Sequence, residues 1–278
     1  MVDILRSDWL RLMASRHYMQ YNDPTLRPLE VSTLSKGDLE LARVLLARGA
    51  DVNWREDWSG LHYAASGDHG DLLALLLAQP GVEVNIEDSE RVTPLMVACH
   101  NGRENIVRKL LQVDGIDINR QDESGNTALH HAVGNFNPGC VKLLREVPEL
   151  EWNLKDFNDE YTPLLMATIY GTADSLEIIL DVPQPQLDLA ATDALGYNVA
   201  WCAVLNTEDC GDQQRCVQLL CDDPRVDWNT RDPDTGNTPL LACLEEGKLE
   251  VAKILLSNPR VDLNIQNNAG KFPETIAR

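Results

Sequence analysis

The sequence is poor in basic and aromatic residues and has no long apolar run. Its 278 residues include 24 Lys and Arg against 44 Asp and Glu, which gives a formal net charge of −20. Such a surface repels nucleic acid and anionic lipid, so we expect neither as the main partner. No apolar stretch approaches the ~18 residues that can cross a bilayer. Aromatic residues make up only 5%, which is few for a β-sandwich.

Secretory features are also lacking. Arg6, Asp8 and Arg11 interrupt the apolar residues at the start of the chain, where a signal peptide would be continuous. There is no Asn-x-Ser/Thr sequon, and the seven cysteines are odd in number and lack the spacing of a disulfide framework. The sequence therefore favours a reducing, cytoplasmic location, with the nucleus as an alternative.

Motifs of catalytic and cofactor sites are missing as well. The sequence contains no GxSxG elbow, no phosphate loop ending in Gly-Lys-Ser/Thr, no HExxH and no GxGxxG. Cys99 and His100 are adjacent, which places them about 100° apart on a helix, unsuited to a catalytic dyad. Cys210, Cys216 and Cys221 lie close together but without a CxxC pair for zinc. We predict a chain that is not an enzyme and holds no cofactor or metal.

What the sequence does contain is an internal repeat. The string Thr93-Pro94-Leu95-Met96-Val97-Ala98 returns in related form at 127–132 and 162–167, and as Thr-Pro-Leu-Leu from 238. Weaker copies begin at 27, 59 and 198, and a last one at 272. Each full copy ends in an Asp-x-Asn-like element that follows a Leu pair. Eight phased copies at 32–40-residue spacing are typical of a stacked repeat architecture.

Each position of the string has a physical reason. Thr accepts a hydrogen bond from an orphan N–H at the start of a helix, and Pro suits the first helical turn. The small sixth residue lets a neighbouring helix approach closely. A Gly turn such as Gly102 ends this helix, and an amphipathic helix follows, as in residues 104–111. Polar Gly-containing segments such as 122–126 then suit tight turns.

These residues resemble the ankyrin repeat, whose pattern includes a Thr-Pro-Leu-His element within about 33 residues. The resemblance implies an all-α solenoid of stacked helix–turn–helix units with β-turn or hairpin fingers. It covers residues 27–278, with seven full repeats starting near 27, 59, 93, 127, 162, 198 and 238 and a truncated eighth from 272. Residues 1–26 are expected to form an N-terminal capping helix. In five repeats another residue replaces the frequent family His, with the expected loss of its polar links: Glu30, Met96, Leu165, Trp201 and Leu241.

A stack of this kind offers a long concave face of finger tips and first helices and no deep closed pocket. We predict a monomeric, non-enzymatic scaffold that binds a protein or peptide there, and the acidic groove favours a Lys/Arg-rich partner. Solubility alone is an alternative role for the acidity. The predicted contact residues are Trp58, Tyr63, His100, His131, Asn135, Phe157, Tyr161, Met166, Tyr170 and Tyr197. Trp152 and Trp228 replace smaller apolar residues of other copies, so we expect them to be buried.

Two further hypotheses follow from the ends of the repeats. The partial last repeat leaves open that the chain is the substrate-recruiting arm of a larger multidomain enzyme or ubiquitin-ligase adaptor. Asparagines of the Asp-x-Asn element in ankyrin repeats can be hydroxylated by an asparaginyl hydroxylase. By resemblance, the candidates for this modification are Asn119, Asn229 and Asn264.

Overall fold

A computed structural model describes residues 34, 36–205 and 211–276. Within these residues the chain forms helices joined by turns, without an extended strand. The helices are, in chain order, α1 (Leu39–Ala47), α2 (Gly60–Ser66), α3 (Gly70–Leu77), α4 (Pro94–His100), α5 (Glu104–Leu110), α6 (Ala128–Gly134), α7 (Pro138–Arg145), α8 (Pro163–Ile169), α9 (Ala173–Leu180), α10 (Val199–Leu205), α11 (Gly211–Asp222), α12 (Pro239–Glu246), α13 (Leu249–Ser257) and α14 (Pro273–Ile276). The capping helix predicted over 1–26 lies outside the described residues, as do residues 206–210 of the long sixth repeat.

The helices lie in two parallel rows. The even-numbered helices α2 to α14 are the first helices of the repeats, and each packs on the next even-numbered one. The odd-numbered helices α1 to α13 form the second row in the same way, and each first helix from α2 to α12 also packs on its own second helix. Because each repeat contacts only its neighbours, the architecture is a solenoid. The predicted all-α fold is confirmed.

The first helices begin as the repeated string predicts. Thr93 Oγ1 accepts from the backbone N–H of Met96 at 3.4 Å, and Thr162 Oγ1 accepts from that of Leu165 at 3.3 Å. Proline follows Thr93, Thr162 and Thr238 as the first helical residue. The cap satisfies an orphan N–H, and the proline occupies a position where its missing donor costs nothing.

Small residues bring the first helices together. The sixth residue of each string is almost fully buried at Ala64, Ala98, Ala132, Ala167, Ala203 and Cys243. Trp152 and Trp228 are also buried, the latter with only 1% of its surface exposed, so the prediction that both belong to the core is confirmed. The small residues of the first helices and the large tryptophan side chains belong to one buried core.

An asparagine ladder links the loops that follow the second helices. Asn119 Nδ2 donates to the Glu149 carbonyl at 2.7 Å, and its Oδ1 accepts from the Glu151 N–H at 2.9 Å. The same pair of bonds to the next repeat is made by Asn53, Asn85, Asn153 and Asn229. Ala190 occupies the corresponding place in the fifth repeat, so the ladder is interrupted between repeats five and six.

Met96 keeps part of the role of the His that it replaces. His130 Nδ1 accepts from the Thr127 N–H at 3.2 Å, and its Nε2 donates across the repeat boundary to the Tyr161 carbonyl at 3.0 Å. At Met96 the sulfur accepts from the Thr93 N–H at 3.3 Å. The thioether therefore keeps the acceptor at the helix start but cannot supply the donor to the next repeat.

Candidate functional site

The finger turns and the first helices together form one side of the stack. We call this side the finger face. Asp122 closes its turn by accepting from the Asn126 N–H at 2.8 Å and the Ser124 N–H at 2.9 Å, both through Oδ1. An equivalent carboxylate closes each of the neighbouring turns at Asp88, Asp156, Asp193 and Asp232. These side chains hold the tips in place, since each satisfies two donors of a tight turn.

Adjacent fingers are also joined through the backbone. The Glu123 N–H donates to the Glu90 carbonyl at 2.9 Å, and the Phe157 N–H donates to the Ser124 carbonyl at 2.8 Å. Pro233 occupies the corresponding donor position of the seventh finger and has no N–H. The finger face therefore forms a bonded row up to the sixth finger, which fixes the spacing of side chains along it.

Trp58 and Tyr63 form the first cluster of predicted contact residues on this face. The Trp58 Nε1–H donates to Asp88 Oδ2 at 3.1 Å, and the Trp58 and Tyr63 ring centroids are 5.5 Å apart. Burial, with a contribution from Asp57 and Glu56, raises the pKa of Tyr63. Both rings are half-buried, so they are tied into the finger face as well as accessible from it.

His100, His131 and Asn135 form a second cluster. The two imidazole centroids lie 5.8 Å apart, and Asn135 Nδ2 is 3.0 Å from His100 Nδ1. His131 Nε2 lies 2.9 Å from Asp122 Oδ2. Burial pushes the pKa of Asp122 up, but hydrogen bonds from His131 and the Asn126 N–H outweigh it and hold that pKa below its ordinary value. Burial, together with the neighbouring His131, lowers the pKa of His100.

The most exposed cluster contains Phe157, Tyr161 and Tyr170. Phe157 is 62% exposed, and its ring lies over Gly125 of the preceding finger. Tyr170 at the end of α8 is exposed as well. Burial raises the pKa of Tyr161 to about 12, with further contributions from Asp159, Cys202 and other neighbouring groups.

Tyr197 continues this cluster into the sixth finger. Its hydroxyl donates to Asp232 Oδ2 at 3.2 Å, and its ring centroid lies 5.5 Å from that of Trp201. Burial and the hydrogen bond to Asp232 raise the Tyr197 pKa, to which Asp193 and Asp234 also contribute. Tyr197 therefore lies next to the Asp232 carboxylate, and the charges of Asp159 and Asp193 act on Tyr161.

One predicted contact residue is placed elsewhere. Met166 is only 6% exposed, and its sulfur lies against Gly134 of the preceding repeat. The prediction that Met166 lies on the accessible face was wrong, because the missing Cβ of Gly134 leaves space that the long thioether fills between two first helices. The remaining nine predicted residues lie on the finger face at intermediate or exposed positions.

The sequence did not lead us to predict that a series of aspartates closes the finger turns. Asp122 and Asp156 are more than nine-tenths buried, whereas the sequence predicted only that these polar segments form tight turns. A sequence signal existed, because an aspartate precedes each string by five or six residues at Asp88, Asp122, Asp156, Asp193 and Asp232.

The asparagines predicted for hydroxylation differ in their surroundings. Asn119 and Asn229 use both amide atoms to bridge to the next repeat. Asn264 is exposed, and its Nδ2 instead donates to Oδ1 of Asp262, two residues earlier, at 3.1 Å. Hydroxylation at these positions stays a prediction, and Asn264 is the least constrained of the three.

The cysteines of the described residues are buried thiols. They are Cys99, Cys140, Cys202, Cys216, Cys221 and Cys243. Burial raises the pKa of Cys99 well above its ordinary value, and its hydrogen bond with the Cys140 thiol adds to the shift. Among the described residues no three His, Cys, Asp or Glu side chains are grouped so as to hold a metal ion. In the same part of the chain, every helix is too short or too polar to span a membrane.

Comparison with known proteins agrees with this geometry. Family models described as ankyrin repeats match residues 29–122, 115–193 and 235–268. A protein of Oryza sativa subsp. japonica described as "Probable E3 ubiquitin-protein ligase XBOS32" is 40% identical over 86 residues, which are 29% of this chain and 17% of that protein. The chain thus spans a small part of that relative's length.

Two crystal structures share the fold at low identity. EF0377, an ankyrin repeat protein, superposes with a TM-score of 0.63 and 23% identity over 70% of this chain and 96% of its own. The ankyrin repeat domain of Bcl-3, described as a unique member of the IkappaB protein family, gives a TM-score of 0.67 and 20% identity over 83% of this chain and 100% of its own. Since the ankyrin repeat models also match well over half of its residues, this chain belongs to the ankyrin repeat family.

Proposed function

We propose that this chain is a non-enzymatic scaffold that binds a basic segment of a partner protein along the finger face, centred on the fifth and sixth fingers. Ankyrin repeats are protein–protein interaction modules. The observation that carries the finer proposal is the group of aromatic residues on the fifth and sixth fingers and at the end of α8. Phe157 and Tyr170 in this group are exposed, and Tyr197 bonds the Asp232 carboxylate.

Aromatic rings beside carboxylates suit a cationic side chain. A Lys or Arg head group is attracted by the ring face and by the nearby negative charge at the same time. An exposed Phe or Tyr also provides apolar contact area with little loss of side-chain entropy. The net charge of −20 adds a long-range attraction that accelerates encounter with a basic partner.

The proposed binding is tested by selecting peptides from a random display library against the whole chain. We expect selected peptides to be rich in Lys and Arg and to bind less tightly as salt rises. The double variant Phe157→Ala and Tyr170→Ala should weaken binding about tenfold or more, because it removes two exposed aromatic rings.

A matched control changes exposed apolar residues in the opposite row. Leu249→Ala and Leu256→Ala alter side chains that are similarly exposed on α13. If these control changes weakened binding as much as the changes at Phe157 and Tyr170, the finger face would not be the binding surface. If selected peptides bound there without any salt dependence, the acidic charge would serve solubility alone.

A second candidate function is the substrate-recruiting arm of a larger enzyme or ubiquitin-ligase adaptor. The similarity over 86 residues to the rice protein described as a probable E3 ubiquitin-protein ligase favours it. Sequencing the full-length transcript tests this hypothesis. A reading frame that continues into a catalytic or adaptor segment would support it, and a transcript that encodes only these 278 residues would contradict it.

A further inference from the structure

The five finger aspartates use their second carboxylate oxygen in different ways. In three of them Oδ2 accepts from, or contacts, a side chain on the finger face. Trp58 Nε1 donates to Asp88 at 3.1 Å, His131 Nε2 lies 2.9 Å from Asp122, and the Tyr197 hydroxyl donates to Asp232 at 3.2 Å. A polar group on the finger face is therefore the usual partner of this oxygen.

Asp156 and Asp193 lack such a partner. Their Oδ1 atoms close the turns as elsewhere, with N–H donors at 2.8–3.2 Å from Asn158, Leu195 and Tyr197, among others. The described residues make no hydrogen bond to either Oδ2, and the two residues are only 5% and 6% exposed. Neither Oδ2 is among the fully enclosed side-chain atoms that lack a hydrogen-bond partner, so each oxygen can be reached from solvent and can accept from a cationic donor of a partner.

Aromatic residues occupy the same two fingers as these oxygens, which favours a planar cation. Tyr161 and Tyr197 are both close enough to Asp193 for its charge to raise their pKa. Phe157 directly follows Asp156 and is exposed over the adjacent finger. An aromatic face next to an acceptor oxygen suits guanidinium better than ammonium, because guanidinium stacks on a ring while its N–H groups donate in the plane.

We propose that Asp156 and Asp193 are two arginine-binding positions, each of which accepts a guanidinium donor of the partner at Oδ2 beside an aromatic ring. This inference rests on the proposed function and specifies the partner's chemistry. The two aspartates belong to neighbouring repeats whose first helices, α8 and α10, pack together. Neighbouring packed helices are ~8–10 Å apart, and an extended peptide advances ~3.3 Å per residue. The two positions are therefore matched by arginines three residues apart, as in Arg-x-x-Arg.

The spacing is tested with the unmodified chain. Short fluorescent Ala/Ser peptides would carry two arginines that are adjacent, three residues apart or six residues apart, together with a Lys-x-x-Lys peptide. Anisotropy titration at low salt gives the dissociation constants. We expect the Arg-x-x-Arg peptide to bind about tenfold more tightly than each of the others. Equal affinity across the spacing series, or absence of binding, would overturn the inference.

Asparagine substitutions test the two carboxylates individually. Asn267 closes the last finger by accepting from the Ala269 N–H at 3.0 Å and the Lys271 N–H at 2.9 Å, so Asn can replace Asp in this turn. Asp156→Asn and Asp193→Asn should each weaken binding of the Arg-x-x-Arg peptide about tenfold. Asp122→Asn is the matched control, because it removes the same charge where Oδ2 already contacts His131.

We expect the control variant to bind within about twofold of the unmodified chain. A loss for Asp122→Asn equal to that for Asp156→Asn would show general charge attraction and refute the two specific positions. Library peptides that bind the finger face but contain no arginine pair, and are insensitive to Asp156→Asn, would overturn this inference and leave the proposed function intact. Library peptides that bind only outside the finger face would overturn the proposed function itself.

Discussion

Replacing Ala190 by Asn should repair the interrupted asparagine ladder and stabilise the chain. At every other described link the Asn amide donates to one backbone carbonyl of the next repeat and accepts from the N–H two residues later, as Asn153 does with Gln186 and Asp188. In the sixth repeat the corresponding groups are the Arg225 carbonyl and the Asp227 N–H. A cavity of about 240 Å³ lies here, and its lining includes Ala190, Arg225 and Asp227.

The expected gain follows from the two new hydrogen bonds. Each contributes ~0.5–1.5 kcal/mol net, and ordering one Asn side chain costs part of this. We therefore expect Ala190→Asn to raise the free energy of unfolding by ~1–2 kcal/mol, which corresponds to a few degrees in Tm for a chain of this size. Urea denaturation followed by circular dichroism measures the change, and hydrogen exchange should show slower opening at the boundary of repeats five and six.

Ala190→Asp is the matched control for this prediction. An aspartate can accept from the Asp227 N–H but cannot donate to the Arg225 carbonyl, and it adds charge beside Asp188 and Asp227. It should therefore stabilise less than Asn or destabilise. If Ala190→Asn folded normally but unfolded at the same urea concentration as the unmodified chain, the ladder would contribute no stability and the reasoning would be refuted.

Two other perturbations test the packing of the stack. Burial lowers the pKa of His62 and His130 below their ordinary value of 6.5. The unfolded chain therefore binds protons more readily than the folded chain. The urea midpoint of unfolding should be constant above about pH 7 and fall between about pH 6.5 and 5. A pH-independent midpoint across that window would contradict buried neutral imidazoles. Gly125→Ala should destabilise by ~2 kcal/mol or more, because Gly125 has φ +81° and an added Cβ would lie 2.7 Å from Phe157. Gly81 has φ +76° and open space around it, so Gly81→Ala should lose only the stability that the unfavourable backbone conformation costs. An equal loss of stability for Gly125→Ala and Gly81→Ala would refute the contact with Phe157.

The stack could be predicted from the sequence because its determinants are local and recur. Thr93 and Pro94 specify a helix start by hydrogen bonding and by a fixed φ, and Ala98 specifies close approach by size. Eight copies of one pattern average out the ambiguity of any single copy. The same reasoning placed Trp152 and Trp228 in the core, because they replace apolar residues at equivalent positions.

The details of the finger face depend on contacts between repeats, which a single repeat does not reveal. Met166 is buried because Gly134, one repeat earlier, has no side chain. Asp156 and Asp193 resemble the other finger aspartates in sequence, yet they differ in what reaches their second oxygen. The partners of Asp88 and Asp232 are Trp58 and Tyr197, which lie 30 and 35 residues away in the preceding finger. Only the partner of Asp122, His131, is near in sequence, at nine residues.

Hydrogen exchange of the whole chain with and without a library-selected peptide tests the central claim most directly. We predict slower exchange in the finger turns 156–161 and 193–197 and at the C-terminal end of α8 when the peptide is bound, with α7, α9 and α11 unchanged. Protection confined to the second-helix row, with the finger turns unaffected, would contradict the assignment of the finger face as the binding surface.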